Sequence, residues 1–344
     1  MRVLIIGGTN FMGPLVVQAL NAQGHNVTVF HRSRTTATLL PDRVQEILGD
    51  RRPLAGAADI LRKVEPEVVL DMIPGVEQDG RDVMSVFKGV ARRVVSISSQ
   101  DVYRAFGRVN HKESGPVEPP PITEDSPLRE NLYPYRGETM RDEDDPQKWQ
   151  DDYDKILVER AVMSDLELPG TILRLPMVYG PGDYQHRMFA FLKRMDDLRP
   201  AILMDEVEAE WRWTHGYVEN VAAAITLAVT DERAAGRIYN VGEPFTFTMA
   251  EWVEKIGEAA GWLGRIVRVP QGRLPEPLRW GINAEQHIAV DSSRIRRELG
   301  YMERVDIDEA TRRTVAWERA HPPAKVDEKN FDYAMEDEFL RMNT

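Results

Sequence analysis

A short apolar run, a glycine-rich turn and an amphipathic stretch follow one another at the start of the chain. Together they constrain the fold more than any other feature. Arg2-Val-Leu-Ile-Ile6 is nearly continuous in apolar residues, the pattern of a parallel strand buried on both faces. Gly7-Gly-Thr-Asn-Phe-Met-Gly13 follows, and Phe11 to Ala22 reads as a helix, with Leu15, Val16, Ala19 and Leu20 at helical spacing. Gly7 permits the tight turn, and Gly13 lets the helix pack closely on the strand. Thr9, Asn10, Phe11 and Met12 stand where free N–H groups and the positive end of the helix dipole attract an anion. In this strand-to-helix context the pattern predicts a site for the diphosphate of a nicotinamide dinucleotide. The competing reading is an ordinary strand-to-helix turn. Asn10 takes the place of the usual middle glycine, and asparagine tolerates left-handed backbone angles better than other non-glycine residues.

Strand and helix patterns then alternate. Asn26 to Phe30, Glu67 to Asp71, Arg93 to Ile97 and Gly170 to Arg174 read as strands, with helical stretches between them at Ala55 to Lys63 and Asp79 to Val90. The alternation predicts an α/β fold, a Rossmann-type doubly wound parallel sheet. Val218 to Val229 (helix) and Arg237 to Val241 (strand) are expected to return to that sheet. The dinucleotide-binding domain is thus expected at 1–182 plus about 217–242. A smaller mixed α/β carboxyl-terminal substrate lobe is expected at 183–216 plus 243–320, and a charged tail at 321–344, opened by Pro322-Pro323.

Composition narrows the function. Of 344 residues, 42% are apolar and 29% charged, a mix suited to a folded protein. The net charge of -12 argues against nucleic-acid binding through bulk charge. The absence of cysteine excludes disulfides, thiolate chemistry and cysteine zinc sites, and no His/Asp/Glu set has metal-ligand spacing, so no metal is expected. No apolar run is long enough to cross a bilayer. A first strand beginning at residue 2 leaves no room for a signal peptide, so a cytoplasmic enzyme is expected.

Two segments bear on specificity. Gly107 to Gln150 carries seven prolines and the charge run Arg141-Asp-Glu-Asp-Asp145, and reads as a long surface excursion, either a lid or binding loop or a variable insertion. The second strand ends in Val29-Phe-His-Arg32, followed by Ser33 and Arg34, with no acid to hold the ribose hydroxyls of NAD. Arg32 and Arg34 are suited to a 2′-phosphate, which favours NADP over NAD; the alternative is two solvated arginines.

Several segments resemble the extended short-chain dehydrogenase/reductase superfamily, of the NAD-dependent epimerase/dehydratase type, over roughly residues 1 to 320. The glycine turn is similar to that family's own, and Gly49-Asp50 resembles its acidic adenine contact. Ser96-Ile-Ser-Ser-Gln-Asp-Val-Tyr103 resembles its catalytic serine strand, and Ile172-Leu-Arg-Leu-Pro-Met-Val-Tyr-Gly-Pro-Gly182 is the most specific match. His215 to Ala222 and Asp291 to Tyr301 are similar to later family segments. The resemblance implies Ser99 at the hydroxyl that holds the reacting oxygen, and Lys155 at the lysine that binds the nicotinamide ribose and lowers the pKa of a tyrosine base. It implies Gln100 and Asp101 at two positions that are both acidic in the dehydratase branch. It also implies a homodimer paired through two helices of the main domain.

The tyrosine of that family stands four residues before the lysine, where here Asp151 stands. Tyr153 is two residues from Lys155, about 200° of helical rotation, so the dyad cannot form in a regular helix. Three outcomes are open. Residues 151–154 precede the helix and Tyr153 enters the site from a bent start. Or another phenol, Tyr103, Tyr133 or Tyr135, takes its place. Or the protein binds a dinucleotide without redox chemistry. Asp151 and Asp152 are expected to cap the helix start.

On the substrate side, Arg212 lies one position early against the family arginine that holds a sugar-nucleotide diphosphate. Trp211 and Trp213 are open to stacking on a ligand or to packing the lobe, and His186 and Arg187 are candidates for the cleft. The expected function is an NAD(P)-dependent epimerase, dehydratase or reductase acting on a small molecule, a nucleotide sugar or related polyol. The alternative is a dinucleotide-binding regulatory or RNA-associated protein without the redox step.

Overall fold

In the structure, a computed structural model, residues 1–32, 40–137, 139–331 and 333–343 are described. Arg34 lies outside them. The first half alternates as β1 (Arg2–Ile6), α1 (Met12–Ala22), β2 (Asn26–His31), β3 (Gln45–Leu48), α2 (Ala58–Arg62), β4 (Val68–Asp71), α3 (Glu77–Phe87), β5 (Arg93–Ser99), α4 (Arg104–Val109), α5 (Lys155–Val162) and β6 (Gly170–Leu175). The second half runs β7 (Met177–Tyr179), α6 (Phe189–Asp196), β8 (Ala201–Asp205), α7 (Glu206–Glu210), β9 (His215–Tyr217), α8 (Val218–Thr230), β10 (Ile238–Asn240), α9 (Met249–Ala260), β11 (Arg265–Val269), α10 (Ser293–Leu299), α11 (Ile307–Ala320) and α12 (Ala334–Asn343).

Seven parallel strands form the main sheet in the order β10-β6-β5-β4-β1-β2-β3. Alternate residues of β1 show why its sequence is apolar throughout. Val3 and Ile5 join Val16, Val17 and Leu20 of α1 on one face. Leu4 and Ile6 join Leu61, Val83, Phe87 and Val158 on the other. A strand covered on both faces has no solvent side, and each such side chain contributes about 1.5–3 kcal/mol by leaving water.

Strand order reverses between β1 and β4, and the crevice beyond the carboxyl ends of strands at such a point is where α/β sheets hold ligands. The glycine turn follows β1 there, and Ser99 ends β5. Two short parallel pairs, β7 with β9 and β8 with β11, lie outside the main sheet. No helix among the described residues is long and apolar enough to cross a membrane.

Three local expectations need correction. The excursion is not confined to the surface: Ile122, Glu124 and Arg129 are buried, Ile122 bridges to Val290, and Leu128 bridges to Tyr103. The stretch Ala55 to Lys63 divides into a 3-10 turn at Leu54–Ala57 and the short α2. The charged segment after Pro323 carries α12, anchored by Arg194 to Glu336 at 3.0 Å and by Tyr333 to Asp197 at 2.5 Å.

Candidate active site

The glycine turn is shaped by close backbone approach. Gly7 and Gly8 have φ of +92° and +86°, conformations that side chains other than glycine rarely adopt. A Cβ on Gly13 would lie 2.5 Å from the Gly8 carbonyl carbon, so the helix meets the turn backbone to backbone. The left-handed angle falls on Phe11, at φ +50°, and not on Asn10. Asn10 instead accepts the Phe11 N–H on its side-chain oxygen at 2.9 Å, and its carbonyl accepts the Gly13 N–H at 2.9 Å. The asparagine therefore braces the turn that a middle glycine would only have permitted. No side chain caps α1 and its first turn holds no acid, which leaves the positive helix end open to an anion. Thr9 and Met12, flanking this end, are partly buried. The cradle and the uncapped helix end fit a dinucleotide diphosphate.

At the far edge of this region, Arg32 Nη1 stands 3.9 Å from Asp50 Oδ2, both half exposed. Asp50 also accepts the Arg52 N–H at 3.0 Å. Arg52 and the buried Arg51 are themselves held by Asp79 and Asp71.

The candidate catalytic residues meet around Asp101. Helix α5 starts at Lys155, capped by Asp154, whose carboxylate accepts the Ile156 N–H at 2.8 Å. Asp151 and Asp152 are not the caps expected: Asp151 is buried against Arg141 at 2.5 Å, and Asp152 pairs with Arg136 at 3.1 Å. A 3-10 turn at Lys148–Asp151 ends before Tyr153, so Tyr153 precedes the helix. The rotation that would separate Tyr153 from Lys155 in a regular helix does not apply. Tyr153 donates its hydroxyl to Asp101 Oδ2 at 2.9 Å, and the Lys155 ammonium lies 5.8 Å from the Tyr153 ring centre. Lys155 donates to the carbonyls of Pro74 and, at 3.0 Å, Ile97. Burial lowers its pKa to about 8. Ser99 accepts the Asp101 N–H on its hydroxyl at 3.1 Å.

The other tyrosines sort by their partners. Tyr103 is fully buried, donates to Asn240 at 2.7 Å and accepts from Arg174 at 2.9 Å. Arg174 in turn pairs with Glu159 at 2.7 Å, so Tyr103 belongs to a structural network. Tyr133 contacts Asp154 through its backbone N–H, with Arg136 over its ring. Tyr135 reaches Asp101 Oδ2 with its hydroxyl at 3.2 Å, and its ring centre is 5.1 Å from that of Tyr153.

Arg129 was not legible as part of this group. It donates to the Asp101 carbonyl at 2.5 Å and faces Asp154 at 3.4 Å, but it sits in the proline-rich excursion with no motif around it. Asp154 carried a signal, an acid directly before an apolar helical run.

The remaining candidates are held by the protein itself. Gln100 is buried and donates to the Val241 carbonyl at 2.9 Å. Arg212 is part exposed, donating to the Thr246 carbonyl at 2.7 Å near Glu251. Trp211 is buried, donates to the Gln286 carbonyl at 2.8 Å and packs on Trp213 and Trp280. His186 pairs with Glu318 at 2.7 Å, and Arg187 with Asp183 at 2.6 Å.

Beside the Tyr-Gly-Pro-Gly segment, Tyr179 donates to Glu243 at 2.8 Å. Burial raises the Glu243 carboxyl to about 7 from the usual 4.5. The folded state then holds a proton that the unfolded chain has released, so this group's contribution is full below about pH 4.5 and is lost as pH rises to about 7. Glu243→Gln, which keeps an oxygen for Tyr179, is expected to flatten that slope and to raise stability at pH 8 by about 2 kcal/mol, read by denaturant unfolding across pH. An unchanged pH slope would mean that Glu243 is ionised in the fold.

The sequence model of the NAD dependent epimerase/dehydratase family matches residues 3–242. The chain is 26% identical over 288 residues to the 2'-dehydrokanamycin reductase of Streptomyces kanamyceticus, covering 81% of this chain and 72% of that one. It is 25% identical over 348 residues to the dTDP-glucose 4,6-dehydratase of Streptomyces griseus, covering 93% and 94%. Among solved structures, the UDP-glucose 4-epimerase of Thermotoga maritima with UDP-glucose superposes with a TM-score of 0.67 at 18% identity, over 93% of this chain and 99% of that one. The Bordetella bronchiseptica enzyme WbmG in complex with NAD gives 0.67 at 17%, over 93% and 94%.

Proposed function

Since the chain belongs to the NAD dependent epimerase/dehydratase family, we propose that it is an NAD(P)-dependent oxidoreductase that transiently oxidises a carbinol of a nucleotide sugar or related polyol. The observation that carries this reading is the Tyr153 hydroxyl, 2.9 Å from Asp101, two residues beyond Ser99, with the Lys155 ammonium beside its ring. The unusual spacing of tyrosine and lysine is absorbed by the non-helical approach to α5.

Gly7, Thr9, Asn10, Phe11, Met12 and Gly13 would hold the diphosphate, Asp50 the adenine side, and Lys155 the nicotinamide ribose. The bound dinucleotide supplies the acceptor that takes up the carbinol hydrogen with its electron pair and returns it. Ser99 positions the substrate oxygen by hydrogen bonding. Tyr153 takes the hydroxyl proton and gives it back. Lys155 holds positive charge near the developing oxyanion, which stabilises it in a site with little water. Asp101 and Arg212 are assigned to the substrate side in this reading, and Gln100 ties the turn that carries Asp101 to the Val241 carbonyl.

The test is to mix the protein with NAD or NADP and a panel including UDP-glucose and dTDP-glucose, and to follow reduced-nicotinamide absorbance and sugar products. Turnover that disappears in Ser99→Ala supports the reading. Tight dinucleotide binding with no turnover on any nucleotide sugar or polyol would favour a binding protein, and no dinucleotide binding would overturn both.

NADP is the finer choice within this reading. Arg32 is half exposed and its ion pair with Asp50 is long, so its guanidinium is available to a 2′-phosphate. Arg32→Ala is expected to weaken NADPH about tenfold, roughly 1.4 kcal/mol, and to leave NADH unchanged in fluorescence titration. Equal losses for both would remove Arg32 from cofactor selection.

A further inference from the structure

Asp101 is placed unlike an ordinary surface carboxylate. It is 4% exposed, in the turn after β5. Its Oδ2 accepts two phenols, Tyr153 at 2.9 Å and Tyr135 at 3.2 Å. Its Oδ1 is buried with no hydrogen-bond partner among the described residues. A buried carboxylate oxygen without a partner carries the cost of lost hydration, and a proton offsets that cost.

The surroundings of Tyr153 point the same way. Lys155 donates to two backbone carbonyls, and its ammonium lies over the Tyr153 ring, 5.8 Å from the centre, with no hydrogen bond to the phenol oxygen among the described residues. Arg129 lies behind Asp101 and is shared with Asp154. The group that touches the phenol hydroxyl is an acid. A phenolate formed in advance would stand against that carboxylate in a buried setting, and two such anions repel strongly. A neutral phenol that passes its proton on creates no second anion.

We propose that Asp101 is the proton store of the site, a positioning residue that takes the Tyr153 proton as Tyr153 takes the proton of the substrate hydroxyl. In this transfer the carbinol O–H bond breaks and its proton goes to the phenol oxygen. The Tyr153 O–H bond breaks in the same step and its proton goes to Asp101 Oδ2. The carbinol C–H electron pair leaves with its hydrogen to the dinucleotide acceptor, and the C=O bond forms. Tyr153 is neutral before and after, Asp101 changes from anion to acid, and reduction of the carbonyl reverses each transfer. Tyr135 donates to the same carboxyl oxygen and ties the excursion to the site.

Burial raises the Asp101 carboxyl above its usual range, against the pull of Arg129, Tyr153, Lys155 and Tyr135. Burial, then Asp101 and Tyr135, raise the Tyr153 phenol, against Arg129. Both directions suit a phenol that relays and an acid that stores.

The inference rests on the oxidoreductase reading, but its test uses the free protein, so each can fail alone. Infrared spectra across pH should show the C=O band of a protonated carboxyl that persists after the exposed carboxyls have ionised and is lost at the higher pH where turnover is measured, because Asp101 must be an anion to take the Tyr153 proton. The band should be lost in Asp101→Asn, return in Asp101→Glu, and move in Tyr153→Phe, which keeps the ring packing. Ultraviolet titration of tyrosinate should show one tyrosine of Asp101→Asn ionising at a pH lower by about one unit or more, absent from the variant that also carries Tyr153→Phe. A wild-type protein without the band, a band still present at the pH of turnover, a band unmoved by Tyr153→Phe, or a tyrosine titration unchanged by Asp101→Asn would each overturn the proposal. Dinucleotide titration of the same samples reports separately on the oxidoreductase reading.

Discussion

Tyr153→Phe is expected to lower kcat by about 10²- to 10⁴-fold on whichever carbinol substrate the wild type turns over, while dinucleotide affinity changes less than about threefold. The hydroxyl is the only group removed. The ring keeps its packing on Tyr135, at 5.1 Å, and on Trp149, at 5.8 Å, so the start of α5 stays in place. Asp101 keeps Tyr135 as a donor at 3.2 Å. The loss therefore reads proton transfer and not folding. Two other variants sharpen the comparison. Tyr135→Phe is expected to cost less than about tenfold, because its hydroxyl supports Asp101 without replacing Tyr153. Tyr103→Phe is expected to cost stability, about 1–3 kcal/mol, and little activity, because it strips a partner from Arg174 and Asn240 in a buried network. Steady-state kinetics beside denaturant unfolding separates the three. If Tyr135→Phe is as inactive as Tyr153→Phe, the phenol from the excursion shares the base.

Gly13→Ala is expected to weaken dinucleotide binding by about 10- to 100-fold and to cost about 1–3 kcal/mol of stability. The added Cβ would lie 2.5, 2.6 and 2.7 Å from the carbonyl carbon, Cα and oxygen of Gly8. These are backbone atoms and cannot rotate away. Relief requires α1 to lift from the turn, but Val16, Val17 and Leu20 fix its other side in the core. Lifting α1 also misplaces the N–H groups that face the diphosphate. Gly24→Ala is the control. That glycine has φ +81° with nothing within 4 Å of a built Cβ, so it carries only conformational strain, roughly 1–2 kcal/mol, at the far end of the helix. Calorimetry of dinucleotide binding should show a loss for Gly13→Ala and none for Gly24→Ala. Equal binding in both would mean that the close approach at Gly13 does not shape the site.

The two cases differ in how far the sequence could be read. The strand, turn and helix of residues 2–22 are local: apolar runs, spacing of three and four, and glycine at 7 and 13 specify them without help from distant residues. The alternation that follows predicts the parallel sheet, because each element needs its neighbour to cover an apolar face. What spacing could not give was any position set by a turn. Asn10 was read as the left-handed residue, and Phe11 carries that angle, since the asparagine side chain closes on its neighbour's N–H. Asp154, and not Asp151 or Asp152, caps α5.

The sequence by itself determined the sheet and the cradle after β1, and its resemblance to a family singled out Ser99 and Lys155; in the fold Lys155 reaches the carbonyl of Ile97, two residues before Ser99. Only the tertiary structure placed Tyr153 against Asp101 and beside Lys155. Chain spacing is a reliable guide to direction inside a regular helix, where each residue turns by a known angle. Tyr153 stands outside α5, where its direction depends on contacts with Asp101, Tyr135 and Trp149, residues brought from a strand end and a proline-rich excursion. The same folding buries Asp101 and leaves one of its oxygens without a partner, so the chemical character of that acid comes from its surroundings and not from its place in a motif.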